Sequence, residues 1–345
     1  MVFLTMKIAV VGLGFMGSTH LKAYRNIPNA ELFAAASDNP VKLTGDLSEI
    51  KGNLGGSGEK LDFSNVRKYS NYLEVCADPD VEAVDLCLPT DLHAPAAIAA
   101  LNSGKHVLVE KPMAINAADC EAMLAAAEKS GKVLMVAQVL RFFPSYAALS
   151  GLLDSGSLGQ VHSAMFRRRC AAPGWSKWLS DPKRGGGGVF DLLIHDVDMA
   201  LHLFGQPESV SATGYEDLGK GIDQLTANLY YPEIGGAVTV TGGWHHPKAY
   251  PFSMEYTVVA ENGTVEYSSA GRATTLYKSD GEQEAVQEPA MDGFEAELAY
   301  FVSTCIAGKQ PENCPPRESA VAVALTQALV ELRKEKGAIS KWKSV

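Results

Sequence analysis

The start of this 345-residue chain constrains its fold more than any other part, because an apolar strand runs directly into a glycine-rich turn. The strand is Met6–Val11, the turn is Gly12-Leu13-Gly14-Phe15-Met16-Gly17, and a helical stretch begins near Ser18. Strand, G-x-G-x-x-G turn and helix in this order form the first unit of a dinucleotide-binding sheet, with the pyrophosphate over the helix N-terminus. The turn residues predicted to contact this cofactor are Gly12, Gly14, Phe15, Met16 and Gly17.

A carboxylate after the second apolar strand indicates which dinucleotide is bound. The strand Leu32–Ser37 ends at Asp38, 21 residues beyond Gly17. A carboxylate there accepts hydrogen bonds from the adenosine ribose hydroxyls and repels a 2′-phosphate, which predicts NAD as the cofactor. Two alternatives stay open: Asp38 only opens the turn Asp38-Asn39-Pro40, or Lys42 admits the phosphate of NADP.

Lys111 lies at a second point of predicted cofactor contact, in the sequence Glu110-Lys111-Pro112. The apolar segment His106–Val109 precedes it, and Pro112 disfavours a helical conformation at Lys111. The ammonium group is therefore predicted to lie just past the carboxyl end of a buried strand. In an open α/β sheet, ligands bind at that end of the strands.

The pattern of apolar segments changes once and divides the chain into two predicted domains. Residues 1–138 alternate strands with helices, as in a doubly wound parallel sheet of the Rossmann type. Residues 139–345 carry alternating segments with short links, which predicts an α/β domain with a large, mainly antiparallel open sheet. A C-terminal helix at about 316–336 is predicted to pack back on the first domain. The second domain's predicted strands are 161–170, 208–215, 224–231, 237–244, 255–260 and 264–268, and its predicted internal helices are 189–204 and 293–307.

Two polar residues four apart mark a candidate site in the second domain. Asp191 and His195 follow the glycine run 185–188, and this spacing predicts that they share one face of a helix. A histidine titrates near neutrality and can take a hydroxyl proton, while a lysine holds the same oxygen. The alternative is an ordinary helical ion pair. No metal is predicted, because Asp196 and Asp198 diverge from His195 around a helix.

Composition excludes several classes of function. The net charge of −10 argues against general affinity for nucleic acid or anionic membranes, and Arg167-Arg168-Arg169 is the only basic run. Six cysteines form no C-x-x-C pair, which is typical of a reducing compartment and predicts a cytoplasmic protein. The residues before Met6 lack the charged region of a signal peptide, and no apolar run approaches the roughly 20 residues of a membrane span.

These motifs, taken in order, resemble one known family. Along the chain they are G-x-G-x-x-G, Pro89-Thr90-x-x-His93, Glu110-Lys111-Pro112, Arg141-Phe142-x-Pro144, and the glycine run followed by Asp191-x-x-x-His195-Asp196. The order and spacing resembles the Gfo/Idh/MocA oxidoreductases, which include glucose-fructose oxidoreductase and inositol dehydrogenases, over essentially the whole chain. One departure is Val139-Leu140 before Arg141, where many relatives have a polar residue such as Asn.

The resemblance implies a Rossmann domain followed by an α/β domain whose open sheet often mediates dimer or tetramer formation. It matches Lys111, Asp191 and His195 to the family's catalytic lysine, aspartate and histidine. The positions that it brings near the cofactor's ribose and nicotinamide are Pro89, Thr90, His93 and Glu110. Besides Asp191 and His195, the predicted substrate-binding residues are Arg141, Arg168 and Trp175, with ordinary loop packing as the alternative for the last two.

The predicted reaction is hydride transfer between nicotinamide C4 and a carbinol carbon of a sugar, inositol or related polyol. Lys111 polarises the reacting oxygen, His195 accepts its proton, and Asp191 orients the substrate through a neighbouring hydroxyl. The resemblance also allows a glycosidase that uses NAD transiently, or a non-catalytic sensor that binds the dinucleotide. Retention of Lys111, Asp191 and His195 together argues against the sensor.

Overall fold

The computed structural model describes residues 5–50, 52, 58–174, 176 and 178–343. The described chain forms two compact units. The first unit runs to Phe142 and also contains Met291–Ala320, and the second contains Phe143–Ala290 and the chain from Val321 onward.

Strands and helices alternate in the first part of the chain, and strands dominate the second. The strands are β1 Met6–Val11, β2 Ala30–Ala36, β3 Arg67–Tyr69, β4 Ala83–Leu86, β5 His106–Glu110, β6 Leu134–Ala137, β7 Val161–Cys170, β8 Ser209–Asp217, β9 Ile222–Tyr230, β10 Val238–Trp244, β11 Ser253–Ala260, β12 Gly263–Ser268, β13 Arg272–Lys278, β14 Gln283–Ala285 and β15 Ser340–Lys341. The α-helices are α1 Phe15–Tyr24, α2 Tyr72–Ala77, α3 His93–Asn102, α4 Ala117–Ser130, α5 Pro144–Asp154, α6 Ile194–Phe204, α7 Gly293–Ala307 and α8 Pro316–Leu332.

The first unit is built on a six-stranded parallel sheet in the order β3-β2-β1-β4-β5-β6. Most residues of its central strands are apolar because helices of a doubly wound sheet cover both faces. Residues Ala83–Leu86 of β4, for example, are all buried. The strand order reverses between β1 and β4, which is the switch point where such sheets bind ligands. The predicted Rossmann fold is confirmed.

The first unit also contains a late segment of the chain. Helix α7 contributes Leu298, Phe301 and Val302 to the apolar core that includes Ile8 and Val10 of β1. Helix α7 was predicted to belong to the second domain, because an apolar pattern along the chain does not show which core a helix joins. The C-terminal helix α8 is divided: Pro316–Ala320 belongs to the first unit and its remainder to the second.

The second unit is built on a nine-stranded sheet in the order β14-β13-β12-β11-β7-β10-β9-β8-β15. Its neighbouring strands are antiparallel except for β7 and β10, which are parallel from Ala164↔Val238 to Cys170↔Trp244. The predicted mainly antiparallel sheet is confirmed. The parallel pair brings the carboxyl ends of β7 and β10 together at one end of this sheet, and that end carries the polar groups discussed below.

Among the described residues, no helix is both long enough and apolar enough to span a bilayer.

Candidate active-site residues

The turn after β1 has the shape that a dinucleotide requires. Gly12 has φ 94°, and a Cβ there would lie 2.3 Å from the carbonyl oxygen of Cys87. A Cβ at Gly17 would lie 2.0 Å from the carbonyl oxygen of Gly12, so turn and helix touch through backbone alone. At Gly14 a Cβ would meet no atom within 4 Å. Gly14 therefore marks the open side of the turn, where a pyrophosphate can approach the backbone closely.

The N-terminus of α1 offers hydrogen-bond donors beside this turn. Gly14 is its N-cap residue and makes no side-chain capping hydrogen bond, and Phe15 and Met16 form its half-buried first turn. The first N–H groups of a helix lack intrahelical partners and carry its positive dipole end, which suits an anionic diphosphate. Asp38 is exposed two residues beyond β2, as its predicted contact with the ribose requires. The described residues therefore fit NAD.

Lys111 lies one residue past β5 and is half-buried. Its backbone N–H donates to Oε2 of the buried Glu110 at 3.0 Å. The ring of His93 lies 2.8 Å from the carbonyl oxygen of Pro112 and 2.9 Å from that of Leu88, so it links the loops after β4 and β5. Burial lowers the pKa of His93, against the effect of these two carbonyls. Glu110 and His93 therefore hold the backbone on either side of Lys111. Pro89 is half-buried and Thr90 is buried in the loop after β4.

A buried cluster beside this loop was missed by the sequence analysis. Nδ1 of His20 on α1 lies 2.8 Å from Oδ2 of Asp85 on β4, and its Nε2 lies 3.2 Å from Oε1 of Glu110. The sulfur of Cys87 is 3.5 Å from both Nδ1 of His20 and Oδ1 of Asp85. Burial alone would lower the pKa of His20, but Asp85 and Cys87 outweigh it and raise that pKa well above its ordinary value. One imidazolium thus lies between two carboxylates.

Replacing His20 with leucine is expected to lower the stability of the first unit by about 3–5 kcal/mol, because Asp85 and Glu110 lose the cation between them. Since folding raises the pKa of His20, its stabilisation is complete below about pH 6.5 and is lost as pH rises through the raised value. Hydrogen exchange of the β1 amides against pH measures both effects. The double variant His20→Leu, Asp85→Asn should recover part of the loss. Equal protection of β1 in wild type and His20→Leu would refute the role.

Asp191 and His195 begin the helical segment of the second unit that the sequence singled out. Asp191 lies in a π-helical turn, Val189–Leu193, and His195 is the second residue of α6. Within residues 187–201 these two are half-buried and all the others are buried. Single π-helical turns occur frequently at functional sites. The two polar side chains thus lie at the open positions of an otherwise buried segment.

The last two residues of the glycine run before this segment are close-packed. A Cβ at Gly187 would lie 2.7 Å from Oδ2 of Asp223, and one at Gly188 would lie 2.7 Å from Cγ of Trp244. Asp223 also accepts from the N–H of Val189 at 2.9 Å and pairs with Arg333 at 2.6 Å. The buried pair Asp223 and Arg333 therefore anchors the start of the π-helical turn. No local sequence pattern predicts these contacts, since the π-helical turn, Asp223 on β9 and Arg333 are far apart in the chain.

Two predicted substrate-binding arginines are structural, which corrects the sequence analysis. Arg168 is 3% exposed, and its Nε and Nη2 donate to Oδ2 and Oδ1 of Asp196 at 2.7 and 3.1 Å. The side chain of Arg141 is fully buried within the first unit, where its Nη1 pairs with Glu318 at 2.6 Å and donates to the carbonyl oxygen of Asn313 at 2.8 Å. Both guanidinium groups are thus committed to internal partners. Trp175 lies outside the described residues.

Comparison with known families identifies the two units. A family profile described as "Oxidoreductase family, NAD-binding Rossmann fold" matches residues 6–138, and one described as "GFO/IDH/MocA C-terminal domain" matches residues 146–266. The chain belongs to the Gfo/Idh/MocA oxidoreductase family. It is thus an NAD-binding oxidoreductase, as the turn after β1 and the parallel sheet indicated.

Relatives of this Gfo/Idh/MocA protein include enzymes with different named substrates. It is 28% identical over 319 residues to a myo-inositol 2-dehydrogenase of Thermotoga maritima, a match that covers 89% of this chain and 90% of the relative. It is 28% identical over 342 residues to a 4-carboxy-2-hydroxymuconate-6-semialdehyde dehydrogenase of Sphingobium sp., a match that covers 96% of this chain and 100% of the relative. A structure of levoglucosan dehydrogenase in complex with NADH and L-sorbose has a TM-score of 0.84 at 19% identity, covering 99% of this chain and 100% of that one. At that identity the likeness shows the fold alone.

Proposed function

We propose that this protein is an NAD-dependent dehydrogenase that transfers a hydride between the nicotinamide and a hydroxyl-bearing carbon of a sugar, inositol or related polyol. The observation that carries the proposal is that Asp191 and His195 are only half-buried within an otherwise buried segment. A carboxylate and an imidazole at the open positions of a close-packed helix start are the groups that bind a hydroxyl and take its proton. The names of the relatives support a dehydrogenase and leave the substrate class open.

Each of the three proposed catalytic residues has a distinct role. Lys111 donates a hydrogen bond to the reacting oxygen and stabilises the negative charge that develops on it. His195 accepts the hydroxyl proton during oxidation and returns it during reduction. Asp191 accepts a hydrogen bond from a neighbouring hydroxyl and so fixes which carbon reacts. NAD, when bound, supplies the hydride acceptor.

Cofactor turnover tests this function. The purified protein is incubated with NAD or NADP and a panel of inositols, aldoses and sugar acids, and nicotinamide reduction is followed by absorbance. We expect reduction with NAD and one polyol class, and a kcat/KM at least about tenfold lower with NADP because Asp38 repels the 2′-phosphate. Equal rates with both cofactors would contradict the role of Asp38. Glycosidic cleavage without net reduction would favour the redox-assisted glycosidase, and bound NAD without turnover would favour the sensor.

We also propose a homodimer or homotetramer in a reducing, cytoplasmic compartment. Helices α5 and α6 cover one face of the nine-stranded sheet, where Tyr146 and Asp196 contact Arg168. On β7 and β11 the other face carries Met165 and Val259, which are 46% and 38% exposed. Such a sheet face is suited to pairing with a second copy. None of the six cysteines, all of which lie among the described residues, forms a disulfide, which supports the compartment.

A further inference from the structure

A group of basic and aromatic side chains lies at the carboxyl ends of β7 and β10, apart from Asp191 and His195. Arg169 is the penultimate residue of β7, and His245 and His246 follow Trp244, the last residue of β10. Tyr250 lies in the loop that leads on to β11. We refer to Arg169, His245, His246 and Tyr250 as the Arg169 cluster.

Ring stacking organises the Arg169 cluster. The ring of His246 stacks on that of Tyr250 with centroids 3.7 Å apart and planes at 11°, and the ring of His245 lies 4.0 Å from that of His246. The guanidinium carbon of Arg169 lies 5.6 Å from the centroid of Tyr250. Since β10 ends at Trp244, the two histidines do not follow strand alternation to opposite faces, as a continued strand would require. Their rings are held together instead.

Three polar atoms of the cluster lack a protein partner among the described residues. They are Nε of Arg169, Nδ1 of His245 and Nε2 of His246, and all three are shielded from solvent. Buried donors without partners destabilise a protein, so native structures rarely retain several of them together. Three such atoms within one stacked group are the arrangement expected of a site whose hydrogen-bond partner is a ligand.

The cluster also has an excess of positive charge. Glu255 on β11 lies 2.7 Å from Nη2 of Arg169 and also pairs with Arg167, so one carboxylate serves two guanidinium groups. Burial lowers the pKa values of His245 and His246, and Arg169 lowers both further. A net positive group is thus retained in a chain whose overall charge is −10, which indicates an anionic ligand.

The position of the cluster relates it to the proposed catalytic segment. Leu192 of the π-helical turn packs with Trp244 and Cys170 in a small apolar core. A Cβ at Gly188 would lie 3.1 Å from the backbone nitrogen of Trp244. Trp244 therefore supports the start of the Asp191 segment, and His245 is the next residue in the chain. Both groups lie at the same end of the second unit's sheet, but Arg169 lies on the face opposite to α6, because it alternates with Arg168. A ligand that contacts both groups therefore lies across the ends of β7 and β10.

We propose that the Arg169 cluster binds a carboxylate of the substrate, so that this protein acts on polyhydroxy acids rather than neutral sugars. This proposal rests on the dehydrogenase function above. Two guanidinium groups and one carboxylate leave a single positive charge, which a carboxylate balances, whereas a phosphate monoester carries about −1.5 to −2. Nε of Arg169 and an N–H of His246 supply donors to the carboxylate oxygens, and Tyr250 holds the rings in place.

The test compares acids with neutral sugars of matched stereochemistry. Kinetics with NAD are measured for pairs such as D-glucuronate and D-glucose or D-gluconate and D-glucitol, with D-glucose 6-phosphate as a further arm. We expect kcat/KM for one acid to exceed that of its neutral partner at least tenfold. In Arg169→Gln, KM for the acid should rise about 10- to 100-fold with kcat nearly unchanged, and kinetics with the neutral partner should hardly move. His246→Asn should act in the same direction.

Arg272→Gln is the matched control, because Arg272 lies on β13 of the same sheet, is 52% exposed and pairs with Glu266, outside the Arg169 cluster. It should leave KM for the acid within about twofold of wild type. A preference for neutral sugars or the sugar phosphate, or an equal loss for acid and neutral substrate in Arg169→Gln with unchanged NADH affinity, would overturn the proposal.

Calorimetry of the NADH-bound protein with the same acids separates this inference from the proposed function. Binding of an acid that Arg169→Gln weakens, together with no reduction of NAD by that acid in the kinetic assay, would support the carboxylate site and count against the dehydrogenase. Turnover of polyols with no acid bound more tightly than its neutral partner would support the dehydrogenase and overturn the carboxylate site. The absence of binding by every acid in the panel would overturn it as well.

Discussion

Replacing Lys111 with alanine is expected to lower kcat by about 10³-fold or more while the Kd for NADH changes less than about threefold. Removing one positioned donor to a developing oxyanion costs roughly 10²- to 10³-fold, and loss of substrate alignment adds to it. The cofactor is held mainly by the turn after β1, where Gly12 and Gly17 shape the backbone around the N-terminus of α1. Lys111→Ala should therefore lose turnover while it still binds NADH.

The measurement pairs stopped-flow hydride transfer with fluorescence titration of NADH. Lys129→Ala is the matched control, since Lys129 is an exposed lysine in the last turn of α4 and should leave both quantities at their wild-type values. Lys111→Arg keeps the charge but changes its geometry, so its kcat should also fall by at least about tenfold. A kcat for Lys111→Ala within tenfold of wild type would show that Lys111 has no catalytic role.

The parallel sheet and the position of Lys111 were predictable because local signals determine them. An apolar strand, a glycine turn and a helix recur at short range, and each carries its own pattern. Residues 161–170 and 293–307 were predicted with the bounds that β7 and α7 have. Strands β13, β14 and β15 were missed because they lie at or next to the edges of the sheet and carry few buried side chains.

Contacts between distant segments were not predictable in the same way. The run Arg167-Arg168-Arg169 shows that one guanidinium faces away from the other two, but not which face α5 and α6 cover. Arg168 was therefore assigned to the substrate, although it pairs with Asp196. His20 and Asp85 are 65 residues apart, and no local pattern indicates that they meet. Asp191 and His195 were found because both signals, spacing and the preceding glycines, lie within one segment.

The pair of Arg168 and Asp196 supports the second unit's fold, and breaking it is expected to have the largest effect on stability. Asp196 is fully buried on α6, and both of its carboxylate oxygens accept from Arg168. Arg168→Met should lower the free energy of unfolding of the second unit by about 3–5 kcal/mol, because it leaves a buried carboxylate without its cation. Removing both charges in Arg168→Met, Asp196→Leu should restore most of that loss, since neither ion then needs a partner.

All four tryptophans lie in the second unit's part of the sequence, so tryptophan fluorescence during urea unfolding reports on that unit. Arg167→Met is the control, because its pair with Glu255 is partly exposed and should contribute at most about 1 kcal/mol.

Burial raises the pKa of Asp196 and Arg168 opposes the rise, so the pKa of Asp196 is higher still in Arg168→Met. A carboxyl whose pKa is raised by folding is protonated more readily in the folded than in the unfolded state. The free energy of unfolding that Arg168→Met loses should therefore become smaller as pH falls from 7 towards 4.5. A loss that stays constant over this range would show that lost packing, and not the unpaired carboxylate, destabilises the variant.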